Sequence, residues 1–439
     1  MEKTGWLERK FALLANRTTV RTEVLAGLTT FMTMAYIIFV NPSILKDAGM
    51  DFGAVMVATC LSSAAACLIM GLYANYPIAL APGMGINAFF AYTVVRGMGY
   101  PWEAALAAVF VDGVLTLLLL TMTGAREAII NSVPMSLKLS ISAGIGLFLA
   151  LIGLQNAGIV QPNPVTLVQL GDFSKPNVLL AAIGLVITGG LVVLRVRGAL
   201  LLGIIATTLL GIPMGVTNTQ GFRLVSLPPS LAPTFGAFAY GLRDVLTVGM
   251  IPIVFTFIFV DLFDTVGTII GVTSKAGMLD ERGRLPRANR ALYSDTLGTV
   301  IGSILGTSCV TSYIESASGM AEGGRTGLTA VVVAVLFVLA TFFAPVVGIV
   351  PAAATAPVLV IVGVFMIEPI MKVDFGDYLE AIPAFLALAM MPFTYSIAEG
   401  IIWGVLSYVV LHAIARRFEK ISLTMWILAA VCLLRFFVH

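Results

Sequence analysis

Residues 76–95 read YPIALAPGMGINAFFAYTVV, and residues 306–320 read GTSCVTSYIESASGM. Pro77 and Pro82 bracket Ile78-Ala79-Leu80-Ala81, and Pro82-Gly83-Met84-Gly85 interrupts the backbone ahead of Asn87. Proline has no N–H and disfavours helix in the residue before it, so an extended approach to a late-starting helix is predicted here. In the second stretch the small and β-branched residues Thr307, Val310 and Thr311 predict the same extended approach, with a helix opening near Ser312. The apolar parts, 84–95 and 313–320, are too short to cross a bilayer, which takes about 20 residues. Short, Gly/Pro-interrupted segments at matching places in two halves of a chain are a pointer to a transporter binding site.

Outward from these stretches the chain resolves into apolar runs near 24–45, 52–73, 84–95, 101–122, 136–155, 178–194 and 198–211. A polar linker containing Leu227-Pro228-Pro229-Ser230 follows. A second set runs near 244–272, 290–306, 313–320, 326–343, 353–370, 378–392 and 397–415, so the interrupted segments stand third in each set of seven. Of the 439 residues 59% are hydrophobic and 11% are charged, whereas a soluble domain spends about 25% on charge. That excludes a water-soluble enzyme, and the 26 phenylalanines exclude disorder. A net charge of +2 gives no reason to expect nucleic acid as a partner. The fold class is an all-α polytopic membrane protein of about fourteen segments, in contact with the lipid bilayer.

Lysine and arginine set the direction of threading, since short cytoplasmic loops collect them. With the N-terminus inside, the inner loops hold Arg126, Arg195, Arg197, Lys275, Arg282, Arg284, Arg287, Arg290, Arg325, Lys372, Arg416, Arg417 and Lys420. The opposite loops hold Lys46, Arg96, Lys175, Arg223 and Arg243. Seven crossings per half is an odd number, which makes the two halves inverted copies. A further apolar run at 421–438 does not fit the count and is read either as a fifteenth helix or as one lying in the interface. The charged stretch from Met1 to Glu23 does not resemble a signal peptide. Cys60 and Cys67, seven helical residues or roughly 10 Å apart, do not suit a disulfide, and with Cys309 and Cys432 they are read as small apolar fillers. Two histidines, His412 and His439, provide no metal-binding motif, so neither metal nor cofactor is expected.

An ionisable group at membrane depth is a functional candidate by default. In the eighth segment Asp261, Asp264, Thr265 and Thr268 recur at i, i+3, i+4 and i+7, along one helical face. In the tenth, Ser312 and Glu315 have the spacing of an S-x-x-E capping box, although a carboxylate beside a half-helix can also serve as a ligand. Asn87 offers an acceptor and two donors in the third segment, with Phe89 and Phe90 beside it as flat faces. Thr311 and Ser312 add hydroxyls, while Thr29, Thr33 and Tyr36 form a milder polar stripe in the first segment. Asp112 and Asp295 are expected to be acids satisfied by neighbours. Carboxylates and an amide without a basic residue suit a neutral or protonated planar molecule rich in N–H donors. Desolvation favours the neutral form of a carboxylate, which makes proton exchange a natural partner of binding.

Four blocks, RTEVLAGLTTFMTMAYIIFVNPSIL, APGMGINAFF, FVDLFDTVGT and TSYIESASGMAEGGRTGLTA, closely resemble the AzgA-like branch of nucleobase transporters, in order and across almost the whole chain. The resemblance implies a UraA-like fold of two inverted seven-segment repeats. It divides the chain into core halves at 1–123 and 242–344 and gate halves at 124–211 and 345–415. An extracellular linker at 212–241 and an apolar C-terminal stretch at 416–439 complete the division. It also implies import of adenine, guanine or hypoxanthine by proton symport at the cell (inner) membrane, with a homodimer formed through the gate side. The acids that hold the base in relatives match Asp261 and Glu315, and further polar positions match Asn87 and Asp264. Asp261 stands where the uracil branch has Glu, a shorter arm consistent with a two-ring base. The alternatives are an anion exchanger or channel of related architecture, or a membrane-embedded hydrolase, for which no catalytic motif is present.

Overall fold

The computed structural model describes residues 6–121, 133–220, 222–278 and 285–434. Arg126, Arg282 and Arg284 of the charge argument lie outside the described residues. The described chain is predominantly helical. After α1 (Trp6–Phe11), the first span is broken into α2 (Val20–Met34) and α3 (Ile37–Asp47), and α4 (Phe52–Ile69) makes the second. Strand β1 (Leu80–Pro82) leads into α5 (Met84–Ala88), continued by wide turns over Phe89–Gly97. Then come α6 (Trp102–Thr121), α7 (Met135–Asn156), a hairpin of β2 (Val160–Asn163) and β3 (Leu167–Leu170), α8 (Pro176–Val193) and α9 (Ala199–Gly211).

The second half opens with a short α10 (Phe238–Val245) and continues in α11 (Ile251–Lys275) and α12 (Ala288–Leu305). The expected run over 244–272 is therefore two elements. A turn at 246–250 ahead of Pro252 separates a helix that carries Arg243 and Asp244 from the apolar span. Strand β4 (Val310–Ser312) precedes α13 (Ser316–Ala321), followed by α14 (Gly327–Ala340), α15 (Ala344–Gly348), α16 (Ala352–Ile367), α17 (Tyr378–Thr394) and α18 (Ile397–Ile414). Among the described residues, nine helical stretches are long and apolar enough to cross a membrane alone. Two shorter apolar helices, α9 and α17, stand seventh and thirteenth, α12 stands ninth, and the two interrupted segments are third and tenth. The final α19 (Leu423–Leu434) has 12 described residues, about 18 Å of helix, and packs on α18.

Packing divides the helices into two groups. In one, α4 lies against α12 and α14, α6 against α11 and α12, and α2 against α13 and α14. In the other, α7 packs on α16 and α17, α8 on α9 and α16, and α17 on α18. Glycines allow close approach in the second group: a Cβ on Gly146 would sit 2.7 Å from the Gly363 carbonyl oxygen. The first group is pinned by Glu23, which is fully buried. Its carboxylate accepts from the backbone N–H of Arg325 at 2.9 Å, of Thr326 and Thr329 at 3.3 Å, and from the Thr329 hydroxyl at 2.6 Å. These are among the N–H groups that the start of a helix leaves without partners, so α2 supplies the cap for α14.

At the centre β1 and β4 pair antiparallel, with Leu80 opposite Ser312, Ala81 opposite Thr311 and Pro82 opposite Val310. Gly83 N–H donates to Cys309 O at 2.9 Å and Tyr313 N–H to Ala79 O at 3.0 Å, which turns the backbone of Leu80, Pro82 and Val310 away from the partner strand. In hydrocarbon those outward groups need partners. Leu80 N–H donates to the Cys67 sulfur at 3.1 Å and its carbonyl accepts from that thiol at 3.4 Å. Val310 exchanges the same two bonds with the Thr299 hydroxyl, at 3.2 and 3.1 Å. Pro82 has no N–H to satisfy, and its carbonyl accepts from the Tyr313 hydroxyl at 2.5 Å. Cys67 is thus a hydrogen-bonding residue rather than an apolar filler.

Thr299→Val should leave one buried N–H and one carbonyl unpaired, costing about 1–3 kcal/mol each. The unfolding midpoint in detergent should drop for Thr299→Val and stay near wild type for Thr299→Ser, which keeps the hydroxyl.

Candidate functional site

The β1–β4 crossing brings five segments onto one buried space. Asn87 comes from α5, Ser308 to Ser312 from the approach to α13, the acid stripe from α11, and Asp112 and Asp295 from α6 and α12. Asp261 is 2% exposed, Asp112 0% and Asp295 1%, whereas Asp264 and Glu315 are only partly covered.

Each acid has a distinct set of neighbours. Asp295 accepts from the Thr265 and Ser312 hydroxyls, both at 2.7 Å. Asp112 accepts from Thr116 at 3.2 Å and from the Cys309 thiol at 3.3 Å. Asp264 faces the Thr311 hydroxyl at 3.5 Å, the limit of a hydrogen bond, and interacts electrostatically with Asp295 and with Glu315. Glu315 accepts from the Tyr36 hydroxyl at 2.7 Å. Asp261 feels the charges of Asp112, Asp264 and Asp295, and among the described residues its Oδ1 has no hydrogen-bond partner. The Asn87 side-chain oxygen accepts from Ser308, while its Nδ2, also buried, has no partner. Phe89 packs edge-on against Phe257, with ring centroids 4.9 Å apart.

The capping-box expectation for Ser312 and Glu315 is corrected by these contacts. Ser312 donates to Asp295, α13 starts at Ser316, and the Glu315 side chain makes no cap bond. A hydroxyl facing a buried carboxylate makes a charge-assisted bond stronger than a neutral cap. Cys309, like Cys67, is corrected from filler to donor. Thr33 lies apart from the acids' hydrogen bonds; its hydroxyl donates to the Thr30 carbonyl at 2.8 Å. The expected neighbour partners of Asp112 and Asp295 are present.

Sequence reading missed Asn41, Thr59 and Ser308. Asn41 Nδ2 reaches Thr59 at 2.6 Å and Thr307 at 2.9 Å, tying α3 and α4 to the start of the second extended stretch. Asn41 is a fully buried amide inside an apolar run, and that is the signal by which it could have been found.

Neighbouring carboxylates, an amide with a buried donor, and hydroxyls make a site that repels anions and can exchange both donors and acceptors with a flat ligand. The model of the permease family (Xan_ur_permease) matches residues 21–403. The chain belongs to that permease family. The permease is 47% identical to the adenine permease AdeP of Escherichia coli, over 98% of this chain and 96% of that one. It is 46% identical to the guanine/hypoxanthine permease PbuG of Bacillus subtilis, over 95% and 97%. Its fold is that of the transmembrane domain of the cyanobacterial bicarbonate transporter BicA, with a TM-score of 0.61 at 15% identity, covering 88% of this chain and 97% of that one. As a permease it is a multi-pass membrane protein and not an enzyme.

Proposed function

We propose that this permease imports purine nucleobases (adenine, guanine or hypoxanthine) together with protons, and that the base binds between Asn87, Asp261 and Glu315. The observation that carries the reading is that, among the described residues, the Asp261 Oδ1 acceptor and the Asn87 Nδ2 donor are both buried without a partner. An unpaired buried polar atom is costly unless a ligand completes it, and a purine edge offers both N–H donors and ring-nitrogen acceptors. Phe89, two residues from Asn87, supplies an apolar face, and the Thr311 and Ser312 hydroxyls face Asp264 and Asp295. The names of the 46–47% identical relatives agree with a purine as substrate. An anion is the weaker reading, because the polar neighbours of these acids are hydroxyls, a thiol and other acids.

The two packing groups correspond to the core and gate. Cys67 on Leu80 and Thr299 on Val310 perform one task in the two halves, which supports an inverted repeat. One core–gate contact lies at the end of α17, where the Tyr395 ring meets that of Tyr92 edge-on at 6.2 Å, while Tyr92 donates to Asp47 within the core at 2.7 Å.

The decisive experiment is counterflow in proteoliposomes with labelled adenine, guanine and hypoxanthine. A purine carrier exchanges bound base without anion current and without hydrolysis, and absence of exchange with all three overturns the assignment. The threading, N-terminus inside, makes a separate prediction. A single cysteine at Val168 of the hairpin should react with an impermeant reagent in intact cells, and one at Lys372 should react only after lysis. The reverse pattern would invert the orientation.

A further inference from the structure

Tyr36 stands at the break in the first span, between the end of α2 at Met34 and the start of α3 at Ile37. It is 1% exposed, and its hydroxyl spends its proton on Glu315 Oε1 at 2.7 Å. Glu315 is the residue immediately before α13, and among the described residues its side chain makes no cap bond to that helix. The backbones that carry the two residues are held together closely. A Cβ on Gly319, in α13, would fall 2.6 Å from the Ala26 carbonyl oxygen of α2. Helix α13 is thus packed tightly on α2, the helix that ends two residues before Tyr36.

We infer that Tyr36 is a positioning residue for substrate: it commits one oxygen of Glu315 and thereby turns the other toward the N–H edge of the base. The inference rests on Glu315 being the acceptor assigned above. A long carboxylate arm held by a rigid ring loses less rotamer freedom when substrate binds than a free one does. Phenylalanine keeps the ring and its packing but removes the proton that holds the carboxylate.

Four reconstituted proteins test this with labelled adenine, guanine and hypoxanthine: wild type, Tyr36→Phe, Glu315→Gln and the double variant. Tyr36→Phe should raise KM about tenfold, the scale of one hydrogen bond to a charged group, with Vmax within about twofold and an unchanged unfolding midpoint. Glu315→Gln should weaken binding by roughly 10- to 150-fold, and the double variant should bind no more weakly than Glu315→Gln alone, because the phenol acts only through that carboxylate. If Glu315→Gln weakens binding while Tyr36→Phe matches wild type, or the two losses multiply, the positioning role is overturned and the carboxylate reading stands. A Tyr36→Phe variant that loses Vmax and thermal stability together would make Tyr36 a structural residue. Wild-type affinity in Glu315→Gln would overturn the carboxylate reading and, with it, this inference.

Discussion

Asp264→Asn should abolish accumulation of purine against a gradient while leaving exchange intact. Asp264 lies one helical turn from Asp261 and interacts with both Asp295 and Glu315. Carboxylates crowded in a poorly solvated space cannot all be ionised together, and they titrate as a unit that shares protons. The partly covered Asp264 has a single long contact, to the Thr311 hydroxyl. With one proton carried per base, an inward pH step of one unit supports about tenfold accumulation, since each unit is worth about 1.4 kcal/mol. In vesicles with the membrane potential clamped, wild type should approach that ratio, and a protonophore should return it to one. Asp264→Asn should give a ratio near one at every imposed pH step, yet still pass labelled base in counterflow. A variant that concentrates purine with unchanged pH dependence would place the coupling proton elsewhere, with Glu315 the next candidate.

Asp261→Asn should fail earlier, at binding. Its unpartnered Oδ1 is the buried acceptor on which the substrate assignment turns. Replacing the carboxylate with an amide keeps size and shape but removes the charge, and hydrogen bonds to a charged acceptor are worth about 1.5–3 kcal/mol. Affinity should fall roughly 10- to 150-fold, and counterflow at low micromolar base should fall with it. The contrast between the two substitutions is the sharper test. Asp261→Asn loses exchange, whereas Asp264→Asn loses only the gradient. If both variants lose the same function, the division of labour along α11 is wrong.

The layout of the fold is written in local features. Pro77, Pro82 and the glycines around Met84 mark where a helix cannot run, and the acids at 261 and 264 repeat with the helical period. Such signals need only a few neighbouring residues. The pairings that organise the site are of another kind. Tyr36 meets Glu315 across 279 residues, Cys309 meets Asp112 across 197, and Ser308 meets Asn87 across 221. No spacing rule reaches that far. The Ser312–Glu315 pair shows how local logic misleads: the capping spacing is present, but each side chain finds a better partner on another helix. The cysteines mislead in a similar way. A thiol in an apolar run resembles a filler until a strand with unpaired edges is laid beside it.

The Glu23 clamp bears on how the chain is made. Its donors, Arg325 and Thr326, are synthesised 302 and 303 residues after it. At translation rates of about 5–20 residues per second, that is roughly 15–60 s during which the first helix has entered the membrane with an unpartnered carboxylate. Strand β1 waits a comparable time for β4. The N-terminal half is therefore not an independent assembly unit. Ribosome-bound intermediates shorter than about 330 residues must keep Glu23 and the β1 edge in contact with water, insertion machinery or chaperone until the tenth and eleventh segments arrive. Quality control of this permease falls at the end of synthesis, when two early polar commitments are finally met.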